Sequence, residues 1–192
     1  MVKIYTGIGD KGKTTFFGCG MVQKNDPHIK AVGSLDELNS VIGLSLCFIQ
    51  DESLRQALMK IQHDLFTVGA DLAGDKINKD TLPQITTKHI RGLEEEIDVL
   101  DKKLGLPTKF VLPGGTVASS FLHLCRTTTR RVERNLVSLK NEPGFNQDVL
   151  KYVNRLSDFF YVLARDANKE FNVDEQQPIY KYFKNNNEEQ KQ

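Results

Sequence analysis

Arg126, Arg130 and Arg134 recur every four residues in RTTTRRVER, and near the start of the chain GIGDKGKT sets Gly7, Gly9 and Gly12 beside Lys11, Lys13 and Thr14. Both stretches suit anions. At roughly 100° per residue the three arginines form one slowly spiralling ridge on a helix. Their rigid guanidinium forks match the paired oxygens of a phosphate or carboxylate better than a lysine point charge does. Glycines expose backbone N–H groups, and the adjacent lysines with Thr14 and Thr15 add donors, which is what a chain of phosphates requires. A charged stripe opposite an apolar face is ordinarily just solvated, and glycines ordinarily serve turns. Here the ridge is arginine after arginine with little neutralisation, so the expectation is an anion site, a subunit contact, or both.

Gly7, Gly12, Lys13 and Thr14 also fit the phosphate-loop pattern G-x-x-x-x-G-K-[ST] letter for letter. That pattern carries meaning only after a buried strand and at the opening of a helix. The next residues, TFFGCG, make a poor helix start, and no apolar strand ending in Asp is available to hold magnesium. The match is therefore expected to be coincidental for the fold, while its phosphate-binding chemistry stays open. None of His28, His63, His89 and His123 lies three residues after a glutamate, which disfavours a di-iron bundle. Cys19, Cys47 and Cys125 form no CxxC and read as free thiols in a reducing compartment. Glu133 falls near Arg126 and Arg130 and is expected to hold their guanidinium groups. Arg131, closer to the apolar side, must snorkel or find a buried acid. Asn154, Arg155, Asp158 and Arg165 interrupt a strongly apolar segment, where Asn154 either bonds between helices or reads a nucleotide.

The elements that must position these groups read as helices. Ser34 to Glu37 gives the capping-box spelling S-x-x-E before Leu35, Leu38, Ile42 and Leu46. Leu54, Leu58, Ile61, Leu65, Val68 and Leu72 step by threes and fours. Ile90, Leu93, Ile97, Leu100 and Leu104 mark a third helix, capped by Thr87. After the break TKFVLPGGT, a fourth runs through Phe121, Leu124, Thr128, Val132 and Leu136, and a fifth from Val149 to Ala167. The predicted fold is all-α, an antiparallel five-helix bundle with an N-terminal glycine-rich nucleotide-binding arm. Residues 1–170 are expected to form one domain, including an N-terminal loop over 1–25. Residues 171–192 are expected to be a polar, partly disordered tail, in which Pro178, Tyr180, Tyr182 and Phe183 could dock as a short aromatic arm.

The 192 residues suit one domain with a real core, and 26 Lys+Arg against 25 Asp+Glu leave no global field for nucleic acid or anionic membrane. MVKIYTG carries no apolar leader, and no apolar run approaches bilayer length. The expectation is a cytoplasmic protein.

Taken together, TGIGDKGKTT, GSLDELNS, FVLPGG, RTTTRRVER and YVNRLSDFFYVLARDAN resemble, in order over residues 3 to 168, the PduO-type ATP:cob(I)alamin adenosyltransferases, or corrinoid adenosyltransferases. The resemblance implies a homotrimer of five-helix bundles with ATP between subunits, magnesium on the triphosphate, and cobalamin as the second substrate. It places Thr6, Gly7, Ile8, Gly9 and Thr14 on the nucleotide loop and makes Lys24 a further phosphate contact. Arg130, Arg131, Glu133 and Arg134 become the nucleotide-binding part of the arginine helix, with Asn154 on the last helix. It pairs Asp36 with Arg126 across subunits and sets Phe110 against the lower face of the corrin. Lys13 and Ile8 depart from the family pattern. A cobalamin reductase and an adenosylcobalamin-dependent mutase are the protein partners implied. Two other functions fit the residues alone: a P-loop phosphotransferase releasing ADP, and a helical carrier that binds without turnover.

Overall fold

The computed structural model describes residues 4–5, 7–16, 20–73, 82–105 and 110–179. Thr6, Cys19, Tyr180, Tyr182 and Phe183 lie outside them. Five helices dominate: α1 (Pro27–Leu46), α2 (Glu52–Ala73), α3 (Thr87–Leu104), α4 (Val117–Val137) and α5 (Gln147–Glu170). Before them come a 3-10 turn (Ile8–Lys11) and two short strands, β1 (Lys13–Phe16) and β2 (Gly20–Gln23).

The strands pair antiparallel, Lys13 opposite Gln23 and Phe16 opposite Gly20. The all-α expectation includes no strands here. Lys13-Thr-Thr-Phe16 is β-branched and aromatic enough to extend, and Gly20, at φ 71°, occupies a conformation other residues resist. This hairpin also disposes of the phosphotransferase reading, because Thr14 lies in a two-stranded antiparallel ribbon rather than at the start of a helix.

α1 starts eight residues earlier than the Ser34 spelling suggests. Asp26 accepts from His28 N and Pro27 occupies the first turn, a stronger start than a serine within a helical run. Ser34 is buried in the helix and donates back to Ala31 O at 2.7 Å. α3 is capped by Thr86 rather than Thr87. His89, three residues on, accepts from Thr86 N at 3.1 Å, whereas the Thr87 hydroxyl donates to Asp148.

α4 packs between α1 and α5, α3 lies along α5, and α2 lies along α1. Chain neighbours run antiparallel. Arg131 on α4 meets Glu37 on α1, and Ser45 meets Cys125, so α1 and α4 also run opposite ways. α3 and α5 run side by side in the same sense, since Thr87 meets Asp148 and Lys103 meets Asp166. The core fills with Leu38, Ile42, Leu58, Leu122, Leu136, Tyr152, Leu156, Phe159 and Phe160, all essentially without exposure. On α4 the buried side is Leu122, Cys125, Thr129 and Val132; Leu124, expected there, is 46 % exposed. Among the described residues no helix is long and apolar enough to cross a membrane.

Candidate functional site

The glycine-rich stretch is a folded turn. Asp10 N donates to Gly7 O and Gly12 N to Gly9 O, and both Gly7 (φ 71°) and Gly12 (φ 75°) are left-handed, so a side chain at either would be strained. Lys24, just past β2, folds back over it. Its backbone N–H donates to Gly12 O at 2.9 Å, and its Nζ lies 3.2 Å from where a Cβ on Gly9 would stand. Gly7, Ile8, Gly9 and Lys24 thus come together, with the ammonium over the turn and no ion pair from it among the described residues. Thr14 faces a cleft of about 580 Å³ between the hairpin, α1 and α2, lined also by Phe16, Asp36, Asn39 and Phe66.

The arginine ridge stands on α4, which sits between α1 and α5. Arg130, Arg131 and Arg134 are exposed or half-exposed. Arg131 finds its acid on α1, Nη2 to Glu37 Oε1 at 2.5 Å, with both side chains about half-exposed, so no buried carboxylate is needed. Glu133 does not restrain Arg126 or Arg130; its Oε1 accepts from Asn154 Nδ2 on α5 at 3.0 Å. On a helix Glu133 turns toward α5 while Arg130 and Arg134 point outward, which separates the carboxylate from them. Both readings of Asn154 survive: it bonds between helices, and it stands exposed beside the ridge.

Arg126 is different. Its Nε is buried without a hydrogen-bond partner, and burial, then the charge of Arg130, hold its pKa below the ordinary arginine value. No carboxylate among the described residues pairs with it, and Asp36 does not meet it in this chain. The Asp36 carboxylate lies exposed in the α1–α2 cleft, whereas Arg126 faces Tyr161 on α5. Within this chain, Arg126 Nε therefore stays without a partner and the Asp36 carboxylate stays exposed.

Phe110 heads a third cluster. Its ring is 81 % exposed. The turn behind it is fastened to α5: Asn168 Nδ2 donates to Gly114 O at 2.9 Å and Asn168 Oδ1 accepts from Thr116 N at 2.9 Å. Gly115 (φ 106°) is required twice over, because a Cβ there would also collide with the Asn168 carboxamide.

Sequence reasoning passed over Asn168, Glu175 and His123 as functional neighbours. Arg165 is buried and bonds Glu175 through Nε at 3.0 and 3.2 Å, and Nη1 donates to Gly105 O. His123 is buried between Arg126 and Tyr161, with Nδ1 unpartnered. Burial, then Arg126, push its pKa down to about 4, against a weaker upward pull from Glu175. The spelling around Asn168, near a helix end, gave no signal. The arginine within a run of apolar residues, VLARDAN, was the signal available for Arg165.

No convergent group of three His, Cys, Asp or Glu exists among the described residues. Cys47 is exposed and Cys125 buried, both as free thiols.

The family described as cobalamin adenosyltransferase matches residues 4–167. The chain is 41 % identical over 171 residues to a corrinoid adenosyltransferase of Bacillus subtilis (strain 168), covering 87 % of each. It is 38 % identical to the corrinoid adenosyltransferase MMAB of Bos taurus, covering 93 % of this chain and 76 % of that protein. Among solved structures, a phenylalanine-to-histidine variant of a PduO-type ATP:corrinoid adenosyltransferase from Lactobacillus reuteri, complexed with cobalamin and ATP, superposes with a TM-score of 0.85. It is 40 % identical, covering 93 % of this chain and 97 % of that one. An arginine-to-lysine variant of the same protein, complexed with ATP, gives 0.83 at 39 % identity, covering 92 % and 100 %.

Proposed function

The chain belongs to the cobalamin adenosyltransferase family, and on that footing we infer that it moves the 5′-deoxyadenosyl group of ATP onto the cobalt of cob(I)alamin. The products are adenosylcobalamin and triphosphate. The Co(I) electron pair forms the Co–C bond as the C5′–O bond breaks, and that bonding pair leaves with the triphosphate. Co(I) is a sufficient nucleophile unaided, so no residue has to remove a proton.

The carrying observation is that this family's chain keeps its cationic groups outward and unneutralised at the two places where a nucleotide would be held. Lys24 lies over the glycine turn, and Arg130 and Arg134 line the outer side of α4. Gly7, Ile8 and Gly9 would present backbone to the triphosphate, joined by Thr6 and by Thr14 at the cleft. Arg130 and Arg134 would neutralise charge growing on the leaving group, Arg131 would stay anchored to Glu37 beside them, and the Glu133–Asn154 pair would orient the nucleoside. Magnesium would ride on phosphate oxygens and reduce their charge. With no protein cage among the described residues, Lys24 and the arginines supply the protein's share of that task.

The assembly is a homotrimer in this reading, with Asp36 of one copy satisfying Arg126 of the next. The unpaired state of both groups supports it. Phe110 would press on the lower face of the corrin, displace the lower axial ligand and leave a four-coordinate cobalt that is easier to reduce. Its 81 % exposure leaves the ring free to do so. Residues 1–170 act as one domain, and the free thiols of Cys47 and Cys125 support a reducing cytoplasm. A cobalamin reductase would supply Co(I), and a mutase would receive the product.

Mixing protein, ATP and chemically reduced cobalamin tests the reaction. The expected result is the visible spectrum of adenosylcobalamin with intact triphosphate as the co-product. Binding without spectral change would mark a carrier instead, and ADP as product would mark phosphoryl transfer.

A further inference from the structure

We propose that Arg165 and the strap 173–176 form the mount that aims Phe110, with Arg165 and Glu175 as positioning residues for the adenosylation reaction. The mount has this role only if Phe110 presses on the corrin as inferred from the family.

Phe110 receives little side-chain packing, so its ring is only as well placed as its backbone. The backbone is held at two levels. Behind it, Asn168 fixes Gly114 and Thr116, and Ser119 Oγ donates to Gly114 O at 3.1 Å. Nearer the ring, Leu112 N donates to Gln176 O at 2.7 Å. This is the described backbone bond closest in sequence to Phe110, and its acceptor belongs to the segment after α5 rather than to a helix.

That segment is itself fastened. Val173 N donates to Asn168 O at 2.9 Å, which turns the chain back past the end of α5. One residue before Gln176, Glu175 takes both bonds from Arg165 Nε, while Arg165 Nη1 holds Gly105 O at the end of α3. The side chain of Arg165 is 8 % exposed and that of Glu175 is 25 % exposed. A buried guanidinium cannot relax into water when its carboxylate is lost, so the pair is a strong anchor for the strap. A single buried arginine thus ties together the end of α3, the strap and, through Gln176, the segment carrying Phe110. A group pressing on a cofactor-sized substrate must be held within about half an ångström, and a misplacement of about 1 Å costs on the order of a hundredfold.

The test compares Glu175→Ala, Glu175→Gln and Phe110→Ala in the full-length protein with cob(II)alamin and ATP. The electron paramagnetic resonance signal of four-coordinate Co(II) is recorded alongside KM for ATP. The expected result is a several-fold loss of the four-coordinate fraction in Glu175→Ala, partial recovery in Glu175→Gln, which keeps one acceptor, and KM for ATP within about twofold. Loss of the signal together with a large rise in KM would make Arg165–Glu175 a general structural pair and overturn the proposal. So would a normal signal in Glu175→Ala beside a depleted one in Phe110→Ala. A normal signal in Phe110→Ala would instead sink the role of Phe110, and the mount with it. Should Glu175→Ala not fold, Glu175→Gln decides: a wild-type four-coordinate fraction there together with a wild-type melting temperature contradicts the mount.

Discussion

His123 sits in an environment that resists its charged form. It is buried in α4, one turn from Arg126, with Arg126 and Glu175 as the charges that face it. The folded state prefers the neutral ring, so its pKa lies near 4 instead of 6.5. Between those values the unfolded chain binds more protons than the folded one, and stability must fall as pH falls through the window. The contribution is complete above about pH 6.5 and lost toward pH 4, amounting to at most about 3 kcal/mol. Urea unfolding of the wild type and His123→Leu at several pH values checks this. The gap between the two should change steeply between pH 6.5 and 4 and be constant above about pH 7, and a parallel pair of curves would contradict it. Cys125 follows the same physics with the opposite sign of charge: burial pushes its thiol up to about 11, and Ser45 Oγ lies 3.3 Å away. It is inert at neutral pH.

At the level of elements, the helices were legible because apolar spacing of threes and fours is dictated by the helix itself. Their starts were less so. Ser34 and Thr87 each carry a plausible capping spelling, yet Asp26-Pro27 and Thr86 start the helices, since neighbouring hydroxyls and carboxylates compete for one set of orphan N–H groups and the sequence does not rank them. The hairpin was missed because four-residue strands give too short a period to detect. Cross-helix polar contacts were also invisible. Tyr152, with no exposure, donates to Asp64 Oδ2 at 2.9 Å, tying α5 to α2; Lys60 holds the same oxygen at 3.2 Å. Burial, then Asp64, drive the Tyr152 pKa well above its usual value, so the phenol stays a donor. Tyr152→Phe should cost about 1–3 kcal/mol by leaving Asp64 one donor short. The melting temperature should then fall by about 3–10 °C, with KM for ATP unmoved. A calorimetric scan that superposes on the wild type would show the bond to be idle.

The whole molecule poses the remaining question, because the proposed phosphate-binding parts belong to different elements of one chain. The glycine turn and Lys24 belong to the hairpin, whose cleft is lined by α1 and α2, and the arginine ridge belongs to α4. The residues of both parts were named from sequence, since arginine spacing and glycine clusters are local features. Their placement relative to one another was not, because it arises from how five helices pack. In the proposed homotrimer, the turn of one copy and the ridge of another hold the same triphosphate. Lys24→Ala and Arg130→Ala should each lower turnover about a hundredfold as pure oligomers, the loss of one cationic donor costing about 3 kcal/mol. Co-expressing the two variants and assaying adenosylcobalamin formation in the purified mixed oligomers is the most direct test. Sites built between subunits should be intact at about a quarter of positions in a random mixture, restoring activity far above either parent. Mixed oligomers no more active than the parents would contradict a site shared between copies.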